Sequence, residues 1–375
     1  MIAKYVWQRG AWTSFRWDAA ALLSPLGECR KRQGRLLAEV ASLGMSQAVE
    51  AQAALLTEEA ITTSAIEGEA LARDSVRSSV ARRLGLPTAG LPTDRSADGL
   101  VGVLLDATAD PGRPLAARRL HGWHAALFPT GYSGLSRIPV GRWRGEGPMR
   151  VVSGAAGRER VHYEAPPGSA VPGEMRRFLG WFNEKAPDMD GLIHAAVAHF
   201  HFVAIHPYAD GNGRLARAIT DRAIADDDRR PARYYSMSSQ IMQERLDYYE
   251  ALRRCSAGDG DLTPWLAWFL GCFSRAVAAS GQRLSLALDK ARFWRRHAGA
   301  SLTERQQKVV NRLLDAGRDG FEGGLTTRKF VGLTGASRAT AFREIEDLLT
   351  RGILVRRAGG GRSASYAVRW EDEAS

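Results

Sequence analysis

Between His206 and Arg217 the chain reads HPYADGNGRLAR, which brings a histidine, a carboxylate, a Gly-Asn-Gly run and two arginines together. Each of these types has a use around a phosphate. Gly211 and Gly213 let successive backbone N–H groups turn toward an anion as a nest. A helix starting near Asn212 to Arg214 would add the positive end of its dipole. Arg214 and Arg217 are neighbours on such a helix and can hold the outer phosphates of a nucleotide by charge-assisted bonds. Asp210 can bind Mg²⁺ between phosphates. His206, with an ordinary pKa of about 6.5, is suited to removing a proton near neutral pH. The sequence has no Walker lysine and no GxGxxG, so this is neither a P-loop nor a Rossmann site.

Two helices must hold the run. Gly191 to Ile205 is apolar and alanine-rich, and Pro207 pushes His206 out of helical geometry and ends that helix. The second helix carries Leu215 to Ala225. His194, His199, His201 and His206 lie close together but lack the HExxH spacing and a second acid, so packing or hydrogen bonding suits them better than zinc. A second notable stretch is TSAIEG, Thr63 to Gly68. Glu67 follows Thr63 by about one helical turn, so both face one way. Gly68 is a point where the helix can weaken or another backbone can approach. The plain alternative for Glu67 is a solvated glutamate on an ordinary helix.

The remaining chain predicts a mainly α fold. Helical spacing runs from Ala19 to Ala72, broken at Gly44, with further helix in Arg73 to Pro114 and then Ala116 to Leu127, Pro172 to Glu184, Tyr234 to Cys255, Thr263 to Ala279 and Ser280 to His297. Met149 to Ser153 and Arg160 to Tyr163 are β-prone runs around Gly154 to Gly157, which predicts a hairpin at the mouth of the helical domain. Its edge could receive an extended peptide by strand addition, or it is a simple surface hairpin. The Trp- and Tyr-rich start, Met1 to Asp18, suggests a small hairpin or an extended arm.

With 375 residues, 45% hydrophobic and 25% charged, the chain fits two or three soluble globular domains. Its net charge of +11 suits an acidic partner such as nucleic acid or nucleotide, although an arginine-rich composition gives the same figure without one. Cys29, Cys255 and Cys272 form no CxxC, and the expectation is reduced cysteines in a cytoplasmic protein. The start lacks a signal-like apolar run. Leu262 to Phe273 contains Pro264, is closed by Arg275 and is too short to span a membrane, so it reads as a buried core helix.

Ser301 to Trp370 has its own rhythm. Thr303 and Gln306 form a capping-box pattern ahead of Val309, Val310, Leu313 and Leu314, and Gly317 suits the C-terminal cap. Two short helices meet at Gly335, with Ser337 capping the second and Ala341, Ile345 and Leu348 as its buried stripe. Strands at Ile353 to Arg357 and Ala364 to Trp370 flank Gly359 to Arg362. This order predicts a winged helix-turn-helix.

HPYADGNGRLAR resembles the signature of the Fic family, HPFx[D/E]GNGRxxR, with Tyr208 in place of Phe. GPMRVVSGAAGRERVHYEAPP resembles the family's flap hairpin, and TSAIEG matches its inhibitory pattern [S/T]xxxE[G/N]. The arrangement is similar to the subclass with an N-terminal inhibitory helix. It divides the chain into 1–112 (arm and inhibitory helix), 113–280 (Fic core), 281–300 (linker helix) and 301–370 (winged helix).

The resemblance implies a protein adenylyltransferase that moves AMP from ATP to a hydroxyl of a target protein docked at the flap. In that reading His206 is the general base and Asp210 the Mg²⁺ ligand. The ATP-binding run is Gly211, Asn212, Gly213, Arg214, Leu215, Ala216 and Arg217. Glu67, with Thr63 and Gly68, would pair with Arg217 and occlude the γ-phosphate. Tyr248 and Tyr249 resemble an adenine-side pair, but Ser256 stands where some relatives carry asparagine. Self-modification and a homodimer are compatible with the layout, and a membrane role is not expected.

Two alternatives remain open from the sequence. In one, Glu67 also serves AMP removal. In the other, the chain is a DNA-binding regulator with a sensory Fic domain, reading DNA through Arg338, Thr340 and Arg343 and wing arginines Arg356, Arg357 and Arg362. The basic excess of 301–375 is mild, so a winged helix used for protein contact is a third reading.

Overall fold

The computed structural model describes residues 4–88, 92–153, 160–184, 186, 188–317, 321–357 and 364–370. The expected turn at Gly154 to Gly157 and the wing segment Gly359 to Arg362 lie outside those residues. The chain forms two compact units, Met1–Ser280 and Gly281–Ser375.

The first unit is helical, with short strands. Its elements begin α1 Ala19–Ala41, α2 Met45–Ile66, α3 Arg73–Arg83, α4 Arg95–Ala109 and α5 Ala117–Leu127. Two hairpins follow: β1 Tyr132–Ser133 with β2 Ser136–Arg137, and β3 Arg150–Ser153 with β4 Arg160–Glu164. Then come α6 Val171–Asn183, α7 Gly191–Ile205, α8 Asn212–Asp228, α9 Met237–Gln243, α10 Arg245–Ser256 and the part up to Ser280 of α11 Thr263–Arg296.

The core sits around α7. That helix is apolar on every face and buried at every position except Val203, as an all-round apolar helix must be. Asp190 caps it by accepting from Leu192 N–H at 2.8 Å, which satisfies one of the orphan donors of the first turn. The expected core stretch near Leu262 lies in α11, where Trp265, Leu266, Phe269, Leu270, Cys272 and Phe273 are all buried. Trp265 donates its indole N–H to Ala196 O at 2.8 Å, so the one polar atom of that large side chain is satisfied inside the core.

The β3–β4 ladder is antiparallel, pairs Val151 with Tyr163, and is irregular between Val151 and Val152. Tyr163 is buried and donates to Ala204 O at 2.7 Å. This bond fastens the hairpin to the end of α7, beside His206. The N-terminal arm supports the same strand. Tyr5 meets the Tyr163 ring edge-on at 5.2 Å, and Trp7 donates to Glu164 O at 2.7 Å.

Three expectations need correction. The arm is not a hairpin: Val6–Gln8 is a 3₁₀ turn, and Arg16 bridges Asp261 singly. Its aromatic residues anchor to the core instead, with Trp12 and Phe15 against His201. Tyr234 to Cys255 is two helices, since α9 ends and α10 begins at Glu244. Thr263 to Arg296 is one helix, because each of its two interior glycines, Gly271 and Gly281, costs only about 1 kcal/mol.

The second unit contains α12 Glu304–Ala316, α13 Thr327–Thr334, α14 Arg338–Thr350, β5 Leu354–Arg356 and β6 Tyr366–Val368. The Thr303–Gln306 capping box forms in both directions. Gly335 takes the left-handed conformation (φ 70°) that ends α13, and Ser337 caps α14. Val309, Val310, Leu313, Leu314, Ala341, Ile345 and Leu348 share one core with Phe330 and Tyr366. Beside the β5–β6 ladder, Leu325 forms a further antiparallel bridge to Tyr366.

Candidate active site

His206 stands at the C-terminal end of α7 with left-handed backbone angles, φ 51° and ψ 59°. Pro207 disfavours the right-handed alternative at this position, and the His206 N–H still bonds Phe202 O at 3.0 Å. Its ring Nδ1 lies 3.2 Å from Val203 O. A carbonyl only accepts, so Nδ1 carries the proton and Nε2 keeps its lone pair. Burial holds the His206 pKa below its ordinary value, against the opposing Val203 bond. Arg144 adds to the lowering, and Glu67 and Asp210 oppose it.

The loop after His206 is built from inside. Asn212 clamps Tyr208 in both directions: Oδ1 accepts the Tyr208 N–H and Nδ2 donates to the Tyr208 carbonyl, each at 2.9 Å. The Asn212 side chain is therefore structural, and only its backbone N–H is available to an anion. Buried Arg144 donates through Nε to His206 O at 2.8 Å and through Nη2 to Pro166 O, while its backbone N–H bonds Pro207 O. His124 stacks on Tyr208 with ring centres 4.2 Å apart. The His124 Nδ1 accepts from Gly141 N–H at 3.0 Å, so Nε2 carries the proton and donates to Asp210 O at 3.2 Å. Burial drops its pKa to about 4, which keeps it neutral.

Asp210 is half-buried. Its Oδ1 accepts the Gly211 N–H at 2.6 Å, and its Oδ2 accepts the Ser133 hydroxyl at the end of β1. Each oxygen keeps lone-pair capacity after one bond. Gly211 has φ 78°, and a Cβ there would meet the Phe128 ring at 2.8 Å. Asn212 and Gly213 open α8, so their N–H groups have no intrahelical acceptor.

The two arginines of the run are both buried and both engaged by residues that follow α2. Arg217 Nη2 meets Glu67 Oε1 at 2.7 Å, while its Nε donates to Thr63 Oγ1 at 2.6 Å and its Nη2 to Thr63 O at 2.9 Å. Arg214 Nη1 meets Glu69 Oε2 and its guanidinium lies over Phe128 at 5.0 Å. Glu67 is the cap residue just beyond α2, and Gly68 turns the chain there with φ 84°. The Gly68 N–H bonds Ala65 O and the Glu69 N–H bonds Ser64 O, both at 3.0 Å. This is the paired pattern that closes a helix on a left-handed glycine.

The structure thus brings together His206, Asp210, Gly211, Asn212, Gly213, Arg214, Arg217, Thr63, Glu67 and Gly68. It does not bring the whole predicted set to one surface. Leu215 and Ala216 are fully buried, so their side chains belong to the core. Tyr248 is also buried. Thr220 spends its proton on Ala216 O, so His199 donates from Nδ1 to Thr220 Oγ1 and Tyr248 donates to His199 Nε2. Tyr249 is 40% exposed, and it alone of the tyrosine pair has a free face. His201 packs edge-on against Trp12, Phe15 and Phe178, and His194 lies against Trp181 and Phe182. Sequence reading missed Arg144, His124, Ser133 and Glu69. Of these only Glu69 carried a signal, because it directly follows the TSAIEG stretch.

In the second unit, Arg338 and Arg343 are exposed at the start of α14, whereas the Thr340 hydroxyl is committed to the Ser337 cap. Arg356 pairs with Glu346 at 3.1 Å.

Comparison with known proteins agrees with this fold and loop. Residues 114–224 match the Fic/DOC family, and residues 5–86 match a domain of unknown function, DUF4172. The Fic/DOC match over residues 114–224 contains the histidine-to-arginine loop, and the mainly helical fold agrees with it. Among curated proteins it is similar to "Protein adenylyltransferase Fic" of Culex quinquefasciatus, 35% identical over 117 residues. That match covers 30% of this chain and 21% of the relative. The chain spans about a fifth of the length of the curated relatives it matches. Among solved structures, a Fic family protein from Desulfovibrio desulfuricans G20 has a TM-score of 0.54 at 20% identity, covering 94% of this chain and 97% of that one. A Fic domain containing signaling protein from Bacteroides thetaiotaomicron has a TM-score of 0.53 at 17% identity, covering 69% and 97%. Those two likenesses are of fold. Among the described residues, no helix is long and apolar enough to cross a membrane.

Proposed function

We propose that this chain is a protein adenylyltransferase of the Fic type, held inactive by Glu67. The observation that carries the reading is the Arg217 guanidinium, buried and held by Glu67 and Thr63. A charged group so placed is there to be matched by a charge. Among the described residues, Arg217 Nη1 and Arg214 Nε are buried without a hydrogen-bond partner, so both side chains retain donors for phosphate oxygens. That retained capacity, the open N–H groups of Asn212 and Gly213, and the spare lone pairs of Asp210 fit a Mg²⁺-nucleotide. In such a site Asp210 would hold Mg²⁺, which supplies positive charge at the phosphates when bound.

In this reading His206 Nε2 takes the proton of a target Ser, Thr or Tyr hydroxyl. The hydroxyl oxygen bonds to the α-phosphorus of ATP, the α–β bridging P–O bond breaks, and pyrophosphate leaves. The N–H groups of Asn212 and Gly213 steady charge on phosphate oxygens, and Arg217 takes the γ-phosphate once Glu67 yields it. Catalysis is then positioning and electrostatics. Incubation with α-labelled ATP tests this. Glu67→Gly is expected to raise label transfer to protein and His206→Ala to abolish it. Equal labelling by parent and both variants would sink the reading.

A second reading concerns α14. Among the described residues, Arg338 and Arg343 have no ionic partner, whereas Glu344, Glu346 and Asp347 pair with Arg305, Arg356 and Arg351. Uncompensated positive charge at the start of a helix suits duplex DNA. A gel shift of the full chain across a salt series tests it: binding lost by Arg338→Glu and weakened by salt supports DNA contact, and salt-independent binding counts against it.

A further inference from the structure

The second arginine of the loop has its own carboxylate. Arg214 has 4% of its side chain exposed, and Glu69 Oε2 lies against its Nη1. Glu69 itself is 42% exposed, so the acid can leave to solvent while the guanidinium cannot. The geometry is set by Gly68. Its φ of 84°, with the Glu69 N–H returned to Ser64 O, reverses the chain between Glu67 and Glu69. One acid therefore reaches Arg217 and the other reaches Arg214, which lies one turn earlier on α8. Arg214 also lies over the Phe128 ring, and among the described residues its Nε is buried without a partner. Its position is fixed and its hydrogen-bonding capacity is unfilled. Phosphate oxygens would complete it, and Glu69 stands in their way.

Resting on the reading of this loop as a nucleotide site, we propose that Glu69 is a second lock. It holds Arg214 as Glu67 holds Arg217, and a nucleoside di- or triphosphate must displace it to bind its outer phosphates. The two acids then divide the work. Glu67 guards the terminal phosphate and Glu69 guards the phosphate next to it, while a monophosphate meets neither.

Calorimetric titration of the full chain with Mg²⁺ and ATP, ADP or AMP tests this, using the parent, Glu69→Gln, Glu67→Gly and the double variant. Glu69→Gln keeps the side chain's size and removes only its charge. It is expected to tighten ADP and ATP about fivefold, equivalent to ~1 kcal/mol for a half-exposed pair, and to leave AMP unchanged. The double variant is expected to bind ATP more tightly than Glu67→Gly alone and to transfer more label from α-labelled ATP. If Glu69→Gln binds ADP and ATP as the parent does and adds nothing to Glu67→Gly, the second lock is overturned. Equal tightening of all three nucleotides also overturns it, since the effect would not act through the outer phosphates. If Glu67→Gly neither tightens ATP nor transfers label while Glu69→Gln still tightens ADP, the second lock stands and the transferase reading falls.

Discussion

Gly213 and Glu67 are fitted to each other: a Cβ built at position 213 would lie 2.2 Å from Glu67 Oε1. Gly211 serves the turn with its positive φ, whereas Gly213 is helical and leaves room for the acid to approach Arg217. Gly213→Ala is expected to expel Glu67 and lower the melting temperature. Glu67→Gly is expected to lower it too, and the double variant should melt no lower than the worse of the two. A double-mutant cycle by thermal unfolding reads this. Full additivity would mean the two residues act apart. The same methyl would lie 3.3 Å from Arg217 Nη1, so Gly213→Ala should not reach the label transfer of Glu67→Gly.

Removing Glu67 takes away the carboxylate paired with the buried Arg217 and leaves it the neutral oxygens of Thr63 and Tyr248, with Glu59 further off. Loss of one partner of a buried pair costs about 3–5 kcal/mol, and the part-exposed Glu67 places this one at the lower end. Glu67→Gly is therefore expected to melt several degrees below the parent. Mg²⁺-ATP should recover more of that loss in the variant than it adds to the parent, because the nucleotide supplies the missing charge. Equal shifts in both proteins would contradict the competition for Arg217.

Burial lowers the His206 pKa, and the working form of a base is the deprotonated one. Label transfer by Glu67→Gly should therefore lose rate only below the ordinary histidine value of about 6.5 and be flat from pH 7 to 8. An acid limb centred above pH 7 in the rate profile would count against His206 Nε2 as the base.

Burial drops the His199 and His201 pKa values to about 3 and that of His124 to about 4, against about 6.5 in the unfolded chain. With a depressed folded pKa the unfolded state binds more protons in this window. Stability is therefore full above about pH 6.5 and falls as pH drops toward 3 to 4. His201→Phe keeps the ring among Trp12, Phe15 and Phe178 and removes one such group and the partnerless Nε2. Its melting temperature should fall less than the parent's between pH 7 and 5; an unchanged fall would assign the acid sensitivity elsewhere.

Much of this was legible where one short segment contained the whole interaction. The bounds of α7, the break at His206, the turn at Gly68 and the Thr303 box each depend on neighbouring residues, and sequence reading placed all four. Glu67 and Arg217 are 150 positions apart, and their pairing was implied by the resemblance of the two short motifs to those of a known family, since the residues alone left Glu67 open as a solvated glutamate. Arg144, His124 and Ser133 had no such motif. Each is one polar side chain reaching a loop 62 to 86 positions away, and an isolated arginine, histidine or serine looks the same whether it is buried or solvated. Tyr248 is a different case. Its resemblance to a ligand contact gave no sign that its hydroxyl would donate to His199 inside the core while also meeting Arg217.

Trp7 and Tyr5 brace the strand that carries Tyr163, while some sixty residues further on Glu67 and Glu69 grip the loop's arginines. One amino-terminal region therefore touches both the β3–β4 hairpin and the arginines of the His206–Arg217 loop. The seam between residues 5–86 and residues 114–224 separates two sequence families but not two working parts. Residues 114–224 made alone would be a cradle without its clasp and a flap without its strut.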